Sequence, residues 1–448
     1  MDLRNFLASY VACRSVSSDS TLESGMEGAR RHLMEFFSNL SMEVREIKIG
    51  KHAVVFAKTT QIPDRPTVLV YGHYDVQPTD DTELWESAPF VLTERNARLY
   101  GRGASDNKGP YSAVLAAVHD LITSGQKLNL NLKFIVEGEE EIGSCSIPRL
   151  LRTVGNELAA DFAIVADTWS FDEKNIVITT GLRGIVGCEV EVHGATQDLH
   201  SGYGGPVPNP IRVLTDICSS LHTKVGYVNI PGFYDDVVRP STWERGQIRR
   251  LPLSDGEMKR ILEIPNFKLP HAGFSAAETM RFFPALEFNG IGGGFQGDGI
   301  KTIIPCRAFA KITCRLVPNQ SAEKIKKSLS EKLLSLCPGE VLMETKFEQA
   351  SDPYLFDVRL IKNKVLAKAI ATADGEIKNI FGNSPVYMRE GGSIGLVTML
   401  KDVLGMDSIM VGLSTSADNI HAPNESIAIS MLEKGRKFFR SFLAKLGN

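Results

Sequence analysis

Thr67-Val68-Leu69-Val70-Tyr71, running straight into Gly72-His73-Tyr74-Asp75-Val76-Gln77-Pro78, is the stretch that decides the fold. Val68, Leu69 and Val70 form a continuous apolar run, the mark of a strand buried on both faces. Gly72 is expected to let the backbone turn as it leaves the sheet. An imidazole and a carboxylate, two residues apart, then stand at the carboxyl end of a strand, where open α/β sheets place their ligands. His73 is suited to ligate a metal while Asp75 holds its ring in one tautomer. A hydrogen-bonded loop would have the same spelling, so the rest of the chain has to supply partners.

Outward from this strand, helix and strand alternate. Asp2 to Tyr10 and Gly25 to Leu40 have helical periodicity, whereas Val54–Ala57, Leu130–Val136 and Phe162–Ala166 read as strands. The Ala-rich segment Tyr111–Thr123 follows Gly109-Pro110, with Pro where a first helical turn tolerates it. This rhythm implies a mostly parallel sheet with helices on both faces. From about residue 180 the pattern changes. Ile185–His193 alternates as a half-buried strand, Pro210 opens a helix through Leu221, and Gly226–Pro270 reads as irregular. A strand at Phe309–Val317 precedes a helix from Ser321 to Leu336, with Ser321 as N-cap and Glu323 in the first turn. The middle of the chain is therefore expected to be an α+β insertion. After Pro385 the α/β character resumes and ends in a helix, Ile427–Leu446.

At 448 residues the chain is long enough for two domains. A hydrophobic content of 43% with 23% charged residues is that of a globular enzyme. The net charge of -3 supplies no basic field for nucleic acid or anionic membrane. No apolar run is long enough to span a bilayer, and the amino terminus lacks the apolar core of a signal peptide, so a cytoplasmic location is expected. The seven cysteines contain no Cys-x-x-Cys pair, which argues against a disulfide framework or a thiolate zinc site. Any metal would be held by His and carboxylates.

Such residues gather at the expected strand ends. Gly101-Arg102-Gly103-Ala104-Ser105-Asp106-Asn107-Lys108-Gly109 is a Gly-punctuated loop that opens the Ala-rich helix. Phe134-Ile135-Val136 delivers Glu137-Gly138-Glu139-Glu140-Glu141, a run of acids at the end of a buried strand. Like charges there call for a cation or for one carboxyl with a raised pKa. Ala163-Ile164-Val165-Ala166 ends in Asp167, and the loop Asn419-Ile420-His421-Ala422-Pro423-Asn424-Glu425 precedes the last helix. Two histidines and several carboxylates on separate strand ends suit a two-metal site.

Taken together, these motifs resemble the M20 metallopeptidases, in particular the carnosinase-like dipeptidase branch. The likeness extends through Gly181-Leu182-Arg183-Gly184, Asp198-Leu199-His200-Ser201-Gly202, Gly299-Ile300-Lys301-Thr302, Cys314-Arg315-Leu316-Val317-Pro318-Asn319 and Arg389-Glu390-Gly391-Gly392-Ser393. It implies a catalytic di-metal domain of residues 1–180 and 386–448, interrupted by a lid and dimerisation domain of residues 181–385. It further implies two divalent metal ions per subunit, zinc first and manganese or cobalt as alternatives. Asp106 would bridge them, His73 and Asp167 would complete one site, and Glu141 and His421 the other. Asp75 would orient His73, and Glu140 would be the general base, leaving Glu139 at a variable position. The family also implies a cis peptide after Asp106. His200 would reach the active site of the opposite subunit of a homodimer, and Arg315, helped by Thr302 and Ser393, would clamp the substrate's free carboxylate. The activity implied is exopeptidase cleavage of dipeptides or short peptides, with hydrolysis of N-acyl amino acids as the alternative. Where carnosinase-like enzymes carry His-rich sequence, this chain has Ser351-Asp352-Pro353-Tyr354, which argues against carnosine as the substrate.

Overall fold

The computed structural model describes residues 1–125 and 128–447. They form two compact units, one of Met1–Thr180, Phe356–Met388 and Ile394–Asn448, the other of Gly181–Leu355 and Arg389–Ser393.

The first unit is built on a twisted sheet. Its strands lie in the order Glu43–Ile47, Val54–Lys58, Asn131–Glu137, Thr67–His73, Phe162–Val165, Ser408–Val411 and Val177–Leu182. The four central strands, Asn131–Glu137 through Ser408–Val411, run parallel. Glu43–Ile47, Val54–Lys58 and Val177–Leu182, outside them, pair antiparallel, so the sheet is mixed around a parallel centre. The antiparallel edge arises because Glu43–Ile47 and Val54–Lys58 are joined by a short loop and fold back on each other, whereas parallel neighbours need a long crossover.

Helix Lys108–Thr123 is buried along nearly all its length, which its small Ala and Ser side chains permit. This close packing, rather than a turn, explains Gly72. The residue lies inside the strand, and a Cβ there would meet the Tyr111 ring at 2.4 Å. Helix Lys364–Phe381 belongs to this unit and not to the insertion as read from sequence. Glu376 on its buried side pairs with Ser441 and Lys445 of the final helix, Ile429–Leu446, and Phe381 packs on Phe438.

The second unit carries a four-stranded antiparallel sheet in the order Ala285–Gly293, Arg307–Leu316, Gly184–His193 and Leu342–Ser351. Alternation along Arg307–Leu316 sends Ala308, Ala310, Ile312, Cys314 and Leu316 to one face, against Leu214 and Ile217 of helix Pro210–Ser220 and Ile325 and Leu329 of helix Ala322–Leu336. The stretch read as irregular contains helices Thr242–Ile248 and Asp255–Ile261, with Ala276–Phe282 just beyond it. Their N-caps are Ser241, Ser254 and Ser275, each accepting the backbone N–H of a glutamate three residues on. The Ser-x-x-Glu spelling of a capping box was thus the signal in the sequence. Among the described residues no helix is long and apolar enough to cross a membrane.

Candidate metal centre

The parallel register sets the site. His73 ends its strand level with Glu137 of one neighbour, and Tyr71 is level with Val165 of the other. The chain segments leaving three adjacent strands therefore emerge side by side, carrying His73, then Glu140 and Glu141, then Asp167. Asp106 arrives from the loop before helix Lys108–Thr123, and its peptide bond to Asn107 is cis. His421 comes from the loop before the final helix, in the left-handed backbone region at φ 62°. That conformation is costly for a residue with a Cβ and persists only where surrounding contacts enforce it.

The loop is anchored four residues on by Glu425, to which the sequence reading gave no role. Its buried carboxylate accepts from Arg102 Nη1 at 2.8 Å and from the backbone N–H groups of Gly103, Ser105 and Asp106 at 3.0, 2.8 and 3.0 Å. One side chain thus ties the loop bearing Asp106 to the loop bearing His421. The clue was an acid only four residues beyond His421, opposite a Gly-rich loop with exposed backbone donors.

Asp106 stands between the two histidines. Its Oδ1 lies 3.2 Å from His73 Nε2 and its Oδ2 lies 2.9 Å from His421 Nε2. Asp167 Oδ2 is 3.4 Å from His73 Nε2, and Glu141 Oε2 is 3.2 Å from His421 Nε2. Among the described residues, potential ligand atoms fall into three sets, each within 4.8 Å: His73, Asp106 and Asp167; Asp106, Glu141 and His421; and His73, Glu140 and Glu141.

The electrostatics are those of crowded carboxylates. Burial and the Asp167, Glu141 and Asp106 charges raise the Glu140 pKa well above the carboxylate range, against the opposing pull of His73. Burial and Asp106 raise Glu141 to about 7. Burial opposes charge on His73, but Asp167, Asp106 and Asp75 override it and push its pKa well up. Hydrogen bonds that His421 donates to Asp106 and Glu141 push its pKa to about 10. The donor set fits divalent cations. Each histidine directs Nε2 at two carboxylates, and a buried oxygen of Glu141, Oε1, has no hydrogen-bond partner. Neutral imidazole and carboxylate are the ligands of zinc and related ions.

The acid run resolves into distinct jobs. Glu137 is fully buried, accepts from Tyr71 and Ser144, and is raised to about 8 by burial and Asp75. Glu139 turns away and accepts backbone N–H groups of Lys51, His52 and Ser146. Only Glu140 and Glu141 join the cluster. Asp75 makes two contacts: its Oδ1 lies 3.4 Å from His73 Nδ1, and its Oδ2 accepts the Glu141 N–H at 3.1 Å. Its own backbone carbonyl, at 3.1 Å, is a nearer partner for Nδ1.

The four remaining expected site residues belong to the second unit and form two pairs. His200 lies on a short strand beside Thr302, with Ser201 N donating to Thr302 O at 3.0 Å. His200 is exposed and its Nδ1 accepts from Gly202 N at 2.9 Å. Arg315 Nη1 donates to Ser393 Oγ at 3.4 Å, and Ser393 in turn donates to the Arg183 carbonyl.

Two imidazoles and paired carboxylates at the ends of a parallel sheet define a metallohydrolase-type centre, and comparison with known proteins gives the family. The model of peptidase family M20/M25/M40 matches residues 69–445, and the chain belongs to that family. It is 30% identical over 399 residues to the human (Homo sapiens) Beta-Ala-His dipeptidase, covering 88% of this chain and 77% of that protein. It is 28% identical to a Cys-Gly metallodipeptidase of Schizosaccharomyces pombe, covering 99% of this chain and 95% of that protein. Among solved structures, an M20 family metallo-carboxypeptidase from Sulfolobus solfataricus superposes with a TM-score of 0.90 at 32% identity, covering 100% of this chain and 99% of that one.

Proposed function

We propose that the protein is a di-metal exopeptidase that hydrolyses dipeptides or other short peptides. The observation that carries this reading is Asp106, whose two oxygens face two different imidazoles at 3.2 and 2.9 Å. In this reading His73, Asp106 and Asp167 would hold one divalent cation, and Asp106, Glu141 and His421 would hold a second. Zinc is the first choice, and manganese or cobalt would accept the same nitrogen and oxygen donors. When bound, the cations supply Lewis acidity that lowers the pKa of water and polarises the scissile carbonyl.

The chain's own residues do the rest. Glu140, beside His73 and Glu141, takes the proton from the attacking water and returns it to the leaving amine. Asp75 fixes the His73 ring and, through the Glu141 N–H, the backbone that carries the base and its neighbour. Arg315, with Ser393 and Thr302, takes the substrate's free carboxylate, because a guanidinium matches that group bidentately. His200 donates to the developing oxyanion of the opposite subunit in a homodimer. The dipeptidase names of the two relatives above support peptides over other amides.

The test is turnover of a dipeptide panel beside N-acetyl and N-succinyl amino acids by the metal-loaded protein. Cleavage of dipeptides is expected. Turnover confined to the acylated set would make the protein an N-acyl amino acid amidohydrolase using the same centre.

A further inference from the structure

The second unit bears a half-open cavity of about 630 Å³ whose walls carry Arg183, Lys268 and Arg315 against a single carboxylate, Glu287. Imidazoles aside, that is an excess of two positive charges in a largely apolar chamber. Phe283, stacked on His271 at a centroid distance of 3.7 Å, and Phe288 form part of the apolar wall. Arg183 is the unexplained group. It is 9% exposed, its Nη2 donates to the Phe283 carbonyl at 2.6 Å, and its Nε has no partner. Among the described residues no carboxylate lies within 4.0 Å of Arg183 or of Arg315. Burial and the neighbouring Arg315 and Arg281 lower the Arg183 pKa to about 10, so it keeps its charge at neutral pH.

A buried guanidinium beside a like charge is costly unless anions offset it, and Glu287 is the one carboxylate in this wall to do so. The two arginines are also held on one frame. Arg183 N donates to Gly392 O at 2.8 Å, Ser393 Oγ donates to Arg183 O, and Arg315 Nη1 donates to Ser393 Oγ. A ligand carboxylate held by Arg315 is thus seated beside a second guanidinium that has no carboxylate partner. One carboxylate neutralises half of the charge excess, and a second carboxylate on the same residue neutralises the remainder. The chamber is also roomier than a lone carboxylate requires, and its phenylalanines suit the methylenes of an acidic side chain.

We propose that this cavity receives the substrate's C-terminal residue and that Arg183 binds a side-chain carboxylate there, making dipeptides that end in Glu or Asp the preferred class. The inference rests on the reading of Arg315 as the clamp for the terminal carboxylate.

The experiment compares kcat/KM for Ala-Glu and Ala-Gln, which match in shape and differ in charge. Metal-loaded wild type, Arg183→Met and Arg183→Lys are assayed at one ionic strength. Wild type is expected to favour Ala-Glu by about 10-fold or more, the usual scale for a charge-assisted hydrogen bond in a desolvated site. Arg183→Met should bring the ratio close to one, and Arg183→Lys should retain part of it. A purely structural Arg183 would depress both substrates together and leave the ratio unchanged, and that result overturns the proposal. Equal rates on the two peptides in wild type, a measurement that needs no variant to fold, overturn it as well. Turnover of dipeptides without discrimination removes this proposal alone. Absence of turnover on every dipeptide removes the exopeptidase reading with it.

Discussion

In the first unit, Asp106, Glu140, Glu141 and Asp167 converge with two histidines at the ends of adjacent buried strands. In the second, Arg183, Lys268 and Arg315 gather around a cavity with one carboxylate. Both regions hold an excess of one charge, but they hold it by different means. The first relies on a parallel register that brings His73, Glu140, Glu141 and Asp167 to one level, locked by the Glu425 carboxylate against the loop of Asp106. In the second, Arg315 lies on strand Arg307–Leu316 and Arg183 just before strand Gly184–His193, with the carbonyls of Phe283 and Arg183 accepting from Arg183 and Ser393. The difference is that the first region gathers its acids where chain segments leave adjacent strands, whereas the second spreads its cations around a cavity wall that one carboxylate does not neutralise.

This contrast gives an ordered set of expectations. The largest effect belongs to Glu140→Gln, which keeps shape and removes the carboxylate proposed as the base. The rate constant kcat should fall by about 10²–10⁴ with cation content unchanged. A variant with wild-type turnover would take the base out of the first unit. Next is Asp75→Asn. The amide cannot offer a charged acceptor to both His73 Nδ1 and the Glu141 N–H, so activity or metal affinity should drop about 10–100-fold. Wild-type values for both would leave Asp75 as no more than a filler of buried space. The smallest effect tests the other side of the contrast. Ser275→Ala removes the cap of helix Ala276–Phe282, which precedes Phe283 in the cavity wall. A loss of about 1 kcal/mol in stability is expected, read from chemical denaturation, with metal content unaffected. A change in metal content would mean that the two regions do not keep separate duties.

Much of the first region was legible from sequence because its residues lie in short contiguous motifs at the ends of apolar runs. Val68–Val70, Phe134–Val136 and Ala163–Val165 each announce a buried strand, and the polar residue after each announces a strand end. What escaped was set by contacts distant in sequence. Gly72 looked like a turn and is instead a site of close approach to Tyr111, visible only once the helix lies on the sheet. Glu425 looked like part of a loop motif and is the buried clasp of that loop. Helix Lys364–Phe381 was absorbed into the insertion because its periodicity does not tell which unit its apolar face will meet. The arginine cavity was illegible for the same reason. Residues 183, 268, 283 and 315 share no motif, and their nearness follows from the pairing of Ala285–Gly293 with Arg307–Leu316 and from the chain's return at Gly392-Ser393.

The central claim is that Asp106 joins two cation sites at the strand ends. The measurement that addresses it most directly is metal content per chain, by elemental analysis after loading and desalting, for wild type and Asp106→Asn. The account predicts two divalent ions per wild-type chain and a loss of at least one in the variant, because neither set of ligands is complete without that carboxylate. Two ions retained in Asp106→Asn, or no more than one in fully active wild type, would contradict it.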